Sequence, residues 1–197
     1  AFLEAVGGQK KTVRVTGPLG EPMESFYGIL ADGKTAVIEM AACAGLPLVE
    51  GRENPEKTTT YGVGELLLAA RDAGCREVIL GLGGSCTNDG GAGAAAALGA
   101  KFTKAGGEAF IPTGGTLSQI AEVDCRPVQE ALRGMKVQVM CDIDNPLFGK
   151  TGAAAVFAPQ KGADEPMVER LDQGLRHLGQ VTARCLGQDF SQLPGAG

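Results

Sequence analysis

The 197 residues predict an α/β domain: a layered mixed sheet with flanking helices, entered through an N-terminal antiparallel meander. Three observations carry that reading. The first third of the chain alternates apolar and polar residues between turn signals, as half-buried strands do. Two short apolar runs, Val78–Leu82 and Val137–Cys141, each follow a helix-forming stretch and end in a polar loop, the pattern of strands joined through helices and buried on both faces. Near the end of the chain, Pro166 to Cys185 is amphipathic, with Met167, Leu171, Leu175, Leu178, Val181 and Cys185 recurring at helical spacing.

Each element has a local cause. Thr12–Thr16 alternates, and Gly17-Pro18-Leu19-Gly20 turns the chain. Glu24–Leu30 and Thr35–Met40 flank Ala31-Asp32-Gly33-Lys34, an Asp-Gly hairpin signal. A helix follows over Gly62–Ala73: Thr58-Thr59-Thr60 offers caps, Glu65 to Ala70 favours helix strongly, and Gly74 stands where a left-handed terminator belongs. After the strand Val78–Leu82 comes a glycine cluster and a small-residue helix, Ala92–Leu98, ending at Gly99. The pattern recurs: helix Pro127–Leu132, strand Lys136–Cys141, loop Asp142–Gly149, and a second small-residue helix, Gly152–Ala158, stopped by Pro159. Residues 1–197 read as one α/β domain, with Val78–Leu82 and Val137–Cys141 as interior strands of one sheet. Their polar loops then share an edge, which is where open α/β sheets bind ligands.

Composition excludes several function classes. Lys and Arg number 18 against 23 Asp and Glu, a formal net charge of −5, so no global field draws the chain to nucleic acid or to anionic lipid. There is no Trp and aromatics make up 5%, too few for a stacking platform. The longest apolar stretch, about Ala36 to Val49, is interrupted by Glu39 and Pro47, so no membrane span is expected. The six cysteines form no Cys-x-x-Cys pair and there is one His, which argues against a zinc site of standard spacing. Free, reduced thiols fit a cytoplasmic protein. Ala1 leads directly into an apolar, helical-looking stretch, and the chain stops inside a new glycine run, Pro194-Gly195-Ala196-Gly197. Both ends read as cut from a longer protein.

The 31 glycines are about twice average usage, and they cluster in Gly83-Gly84-Ser85-Cys86-Thr87-Asn88-Asp89-Gly90-Gly91-Ala92-Gly93. Glycines at a strand end let backbone N–H groups turn toward an anion, and a following helix N-terminus adds a favourable dipole. Gly83, Gly84, Gly90 and Gly91 are therefore candidate phosphate or substrate contacts, with Ser85 and Thr87 as hydroxyl donors. Asn88 and Asp89 are candidates for orienting a substrate hydroxyl or a metal-bound water. An ordinary glycine turn would use the same residues. Two familiar fingerprints fail: Gly81-Leu82-Gly83-Gly84-Ser85-Cys86 lacks the last glycine of a dinucleotide loop, and Gly149-Lys150-Thr151 has Asp144 where a P-loop needs glycine. Asp142 and Asp144, two apart at a strand end, can hold Mg²⁺ through waters or simply start a turn. Lys161 can reach a phosphate or answer a helix C-terminus. Ser85 as a nucleophile would need His177, which falls off the apolar face of its helix and is expected to point to solvent.

Four blocks resemble the bacterial glycerate kinase family, type I: Thr59–Leu66, Gly83–Gly93, Cys141-Asp142-Ile143-Asp144-Asn145-Pro146-Leu147, and Phe157-Ala158-Pro159-Gln160-Lys161-Gly162-Ala163. The resemblance covers essentially the whole chain. Cys86 departs from it, where a small Ala is expected, as does Lys150-Thr151. It implies transfer of the ATP γ-phosphoryl group to a hydroxyl of glycerate, with Mg²⁺. It further implies that the chain is the second domain of a two-domain kinase about twice as long, inserted into a Rossmann-like first domain that is mostly missing here. From the chemistry of the residues themselves, Asp89, Asn88 and Lys161 are catalytic candidates and Asp142 and Asp144 metal candidates, and the fragment alone is expected to be inactive. The rival from another class is a non-catalytic binding module whose glycine loops only shape turns.

Overall fold

The computed structural model describes residue 3 and residues 6–197. The helical stretch expected after Ala1 falls largely on residues 1, 2, 4 and 5, outside the described residues. The fold is mixed α/β, with two sheets.

The meander forms as expected, with its first two strands longer and its third one residue shorter. Strand β1 (Gly8–Thr16) runs antiparallel to β2 (Pro22–Leu30) along all nine residues, and β2 pairs with β3 (Thr35–Glu39) across the Asp32-Gly33 turn. That turn is fastened locally: Asp32 Oδ1 accepts from the backbone N–H groups of Lys34 and Thr35, and Oδ2 from the Thr35 hydroxyl. A short helix α1 (Ala41–Ala44) leads over a 3₁₀ turn and a loop to α2 (Tyr61–Asp72), which ends at Gly74 with φ +91°. β4 (Glu77–Gly81) and β8 (Lys136–Met140) then complete the main sheet in the order β1-β2-β3-β4-β8. β3, β4 and β8 are parallel, and Gly81 lies beside Met140 in the register. Both loops therefore leave the sheet at one edge.

One expectation needs correction. Val137–Cys141 was read as an interior strand; β8 is the outer strand of the sheet among the described residues. Val139 is 51% and Met140 65% exposed, because no described strand pairs on their far side. An apolar run has the same sequence signature whether its second neighbour is present or not. Val78–Leu82 does become interior, between β3 and β8.

A second sheet had no counterpart in the sequence reading. β5 (Lys101–Thr103), β6 (Ala109–Phe110) and β7 (Glu122–Asp124) pair in the order β6-β5-β7. Helices α3 (Ala92–Ala97), α4 (Arg126–Ala131) and α5 (Ala153–Phe157) are short, whereas α6 (Glu165–Leu186) spans 22 residues. Asp164 caps α6 by accepting from Met167 N, and Gly187 ends it at φ +73°. The cores follow this division. Ile38, Leu66, Ala70 and Val78 fill the space between main sheet and α2, while Leu117, Ile120, Leu171 and Leu175 fill that under α6. The glycine loop runs between the two cores.

Candidate functional site

The loop after β4 is held on three sides. On the side of α1 and the 3₁₀ turn after it, Cys86 N donates to the Ala44 carbonyl and the Gly84 carbonyl accepts from Leu46 N. From beneath, Thr58 Oγ1 donates to the Cys86 carbonyl at 2.9 Å. From the α6 side, Lys161 Nζ donates to Ser85 Oγ at 3.0 Å and to the Thr87 carbonyl at 2.5 Å. Gly83 and Gly84 are exposed and Ser85 is half-buried, so this end of the loop is reachable; Gly90 and Gly91 are exposed at the other end. Gly84, Gly90 and Gly91 all have positive φ, a conformation strained for any residue with a Cβ.

Between those ends lie Thr87, Asn88 and Asp89, all buried. Asp89 Oδ2 accepts from Thr60 N at 2.8 Å, Thr60 Oγ1 at 2.9 Å and Gly93 N at 3.2 Å, and Oδ1 from Gly91 N at 3.1 Å. Burial pushes its carboxyl above the usual range, against the downward pull of these donors. Thr60 Oγ1 also accepts from Ala94 N at 2.9 Å. Asp89 thus ties the start of α2 to the start of α3. The neighbouring Asn88 differs: its Nδ2 is sealed from solvent and has no hydrogen-bond partner among the described residues.

Lys161, just past the end of α5, is 8% exposed and belongs to a 3₁₀ turn, Pro159–Lys161. Burial pushes its ammonium below the ordinary lysine value, while Cys86 and Asp89 pull it back up. Asp142 and Asp144 stand elsewhere, exposed in the loop after β8, at the sheet edge shared with the glycine loop. Among the described residues no group of three or more His, Cys, Asp and Glu side chains is arranged to hold a metal. Two carboxylates offer the hard oxygen ligands that Mg²⁺ takes when water and substrate oxygens complete its shell, so the donor chemistry fits. His177, expected to face solvent, is half-buried and its Nε2 lies 2.6 Å from the Ile120 carbonyl; it serves the core under α6 and no Ser85 triad exists.

Two concavities lie off this chemistry. A groove of about 740 Å³ beside α6 is lined by Lys150, Asp164, Glu165, Glu169, Asp172 and Arg176 among others. An apolar one of about 460 Å³ reaches Gly90 and Gly91 from the side of Phe102, Val123 and Leu178. Neither contains Ser85 or Lys161, and the polar centre of the loop is the better site on chemical grounds. The Thr58 and Thr60 supports escaped the sequence reading, which took the three threonines for helix caps. The signal, a threonine run ahead of α2, was visible; its partner across 29 residues was not.

The chain is an α/β domain with a glycine-rich loop at the C-terminal edge of its parallel strands and a buried lysine behind it, the edge at which open α/β sheets bind ligands. Its relatives are more particular. The chain belongs to the glycerate kinase family, whose model matches residues 1–197. It is 48% identical to a glycerate kinase of Bacillus subtilis (strain 168) and 44% identical to a glycerate 2-kinase of Escherichia coli (strain K12), in each case across 100% of this chain and 52% of the relative. A crystal structure described as "putative glycerate kinase 2 from Salmonella typhimurium LT2" superposes with a TM-score of 0.95 at 45% identity, over 99% of this chain and 52% of that one. The chain spans about half the length of the relatives it matches. No helix among the described residues is long and apolar enough to cross a membrane.

Proposed function

We propose that this chain is the central part of a glycerate kinase, which transfers the γ-phosphoryl group of ATP to a hydroxyl of glycerate in the cytoplasm. Residues 1–197 would form its second α/β domain, inserted into a Rossmann-like first domain, with glycerate and ATP as its partners. The observation that carries the proposal is the glycine loop at the strand edge, with Lys161 bound to its inner side, in a chain that matches the family model from end to end.

Phosphoryl transfer depends on positioning and charge neutralisation more than on covalent chemistry. Gly83, Gly84, Ser85, Thr87, Gly90 and Gly91 supply the loop that contacts anionic groups. Asn88 and Lys161 supply donors behind it. Both oxygens of Asp89 are occupied by donors of the fold, so it acts on the attacking hydroxyl through the loop it positions. Asp142 and Asp144 would hold Mg²⁺, which when bound neutralises phosphate charge.

The test sets the chain beside the full-length protein, with D-glycerate and Mg-ATP, and measures ADP release. The full-length protein turns over and the chain alone does not, because a two-domain cleft needs both walls. Absence of glycerate-dependent ADP release from the full-length protein would overturn the kinase. Equal turnover numbers would overturn the divided site.

A further inference from the structure

All six thiols are free, and two of them meet at the end of α6. Strand β7 ends at Asp124, Cys125 opens α4, and α6 packs against β7. Cys125 lines the apolar groove of about 460 Å³ together with Thr182 and Leu186, which bracket Cys185 in the last turn of α6. The Cys185 thiol adjoins that of Cys125 and lies near the Arg126 guanidinium. Cys185 is exposed and Cys125 half-buried. Cys43 and Cys86 also lie near each other, but both are 1% exposed. Cys141 is exposed, and its sulfur faces the Ile143 carbonyl at 3.6 Å. Cys125 and Cys185 are thus two adjacent sulfurs within reach of a small dissolved oxidant.

We propose that Cys125 and Cys185 are a redox-sensitive dithiol, which a peroxide converts to a disulfide that fastens the end of α6 to the start of α4. The exposed sulfur of Cys185 reacts first. As a thiolate it attacks one oxygen of hydrogen peroxide, the O–O bond breaks, and Cys185 becomes a sulfenic acid. The other oxygen leaves as hydroxide and takes up the proton that Cys185 released. Burial and the adjacent Cys185 hold Cys125 in its thiol form, so it enters second, as the resolving group. Its sulfur attacks that of Cys185, the S–S bond forms, the S–O bond breaks, and the oxygen leaves as water with the Cys125 proton. Two thiols give up two electrons, and one peroxide becomes two waters. The bond closes about 60 residues of chain into a loop, a cross-link that restricts the unfolded state. It also fixes one wall of the groove that reaches Gly90 and Gly91, whatever reaction the glycine loop serves.

The full-length protein, reduced and then freed of reductant, is treated with hydrogen peroxide, with and without dimedone, and its peptides are mapped by non-reducing mass spectrometry. The expected result is a peptide linked through Cys125 and Cys185 that dithiothreitol abolishes. In Cys125→Ser, checked for an unchanged fold by circular dichroism, the link is lost. Dimedone on Cys185 then rises roughly tenfold or more, because nothing resolves the sulfenic acid. Oxidation slows hydrogen exchange in the last turn of α6 in the parent and leaves it unchanged in Cys125→Ser. Both thiols still free after peroxide, Cys185 joined to a different cysteine, or equal dimedone labelling of Cys185 in parent and variant would each overturn the dithiol. A linked parent whose α6 end exchanges as fast as before would overturn the fastening.

Discussion

Thr60 donates twice to Asp89, from its backbone N–H at 2.8 Å and its hydroxyl at 2.9 Å, and the same hydroxyl accepts from Ala94 N. Through these two residues the starts of α2 and α3 are hydrogen-bonded to the inner side of the glycine loop. Asp89→Ala strands the buried donors of Thr60 and Gly93 together, and hydrogen bonds to charged groups are worth about 1.5–3 kcal/mol each. The variant should lose roughly 3 kcal/mol or more, read from urea unfolding. A loss below about 1 kcal/mol would show that the carboxylate is not the pin.

Gly93 tests the same joint sterically. A Cβ there would meet Thr59 Oγ1, and would sit 2.8 Å from Asp89 Oδ2 and from the Tyr61 backbone nitrogen. Backbone cannot retreat as a flexible side chain can, so Gly93→Ala should cost about 1–3 kcal/mol. Gly106→Ala, with open space around the added carbon, is the control and should leave the unfolding midpoint nearly unchanged.

Lys161 sets a pH dependence of stability. Burial holds its pKa below the ordinary 10.5, so in the window between the folded value and 10.5 the unfolded chain binds a proton that the folded chain has released. This group's contribution to stability therefore grows as pH rises through that window and is lost as pH falls through the folded pKa. Compared with Lys161→Met by chemical denaturation over about pH 7 to 10, the parent should gain relative stability on the alkaline side. A difference that stays flat or runs the other way counts against a buried ammonium.

The thiols divide by burial. All six cysteines are free; Cys43, Cys75 and Cys86 are buried, while Cys141 and Cys185 are exposed. Burial pushes Cys43 up to about 12 and Cys86 up to about 11, and the thiolate is the reactive form. Brief iodoacetamide treatment of the folded protein near pH 8 should label Cys141 and Cys185 first, by peptide mass spectrometry. Denaturation without reductant should release all six. Early labelling of Cys86 would mean that the loop opens readily.

How much of this was legible in the sequence varies with the length of the element. The Gly62–Ala73 and Pro166–Cys185 helices were placed within a residue of their ends, because periodicity accumulates over many residues and Gly74 marks a stop. β5, β6 and β7 have three, two and three residues, too few for alternation to register. At the site, the glycine loop announced itself by composition. That Asp89 is consumed by the fold, that Lys161 is buried, and that His177 meets Ile120 were not legible, since each depends on a partner 29 to 76 residues away.

Those separations have a consequence for the newborn chain. Every donor to Asp89 lies between residues 60 and 93, so that joint can close as soon as the first half of the chain has left the ribosome, where domains begin to fold during synthesis. The contact from Lys161 to Ser85 spans 76 residues. For the several seconds needed to make that stretch, at about 5–20 residues per second, the loop has its anchoring acid in place and its cation still unsynthesised. The loop is pinned before its lysine arrives.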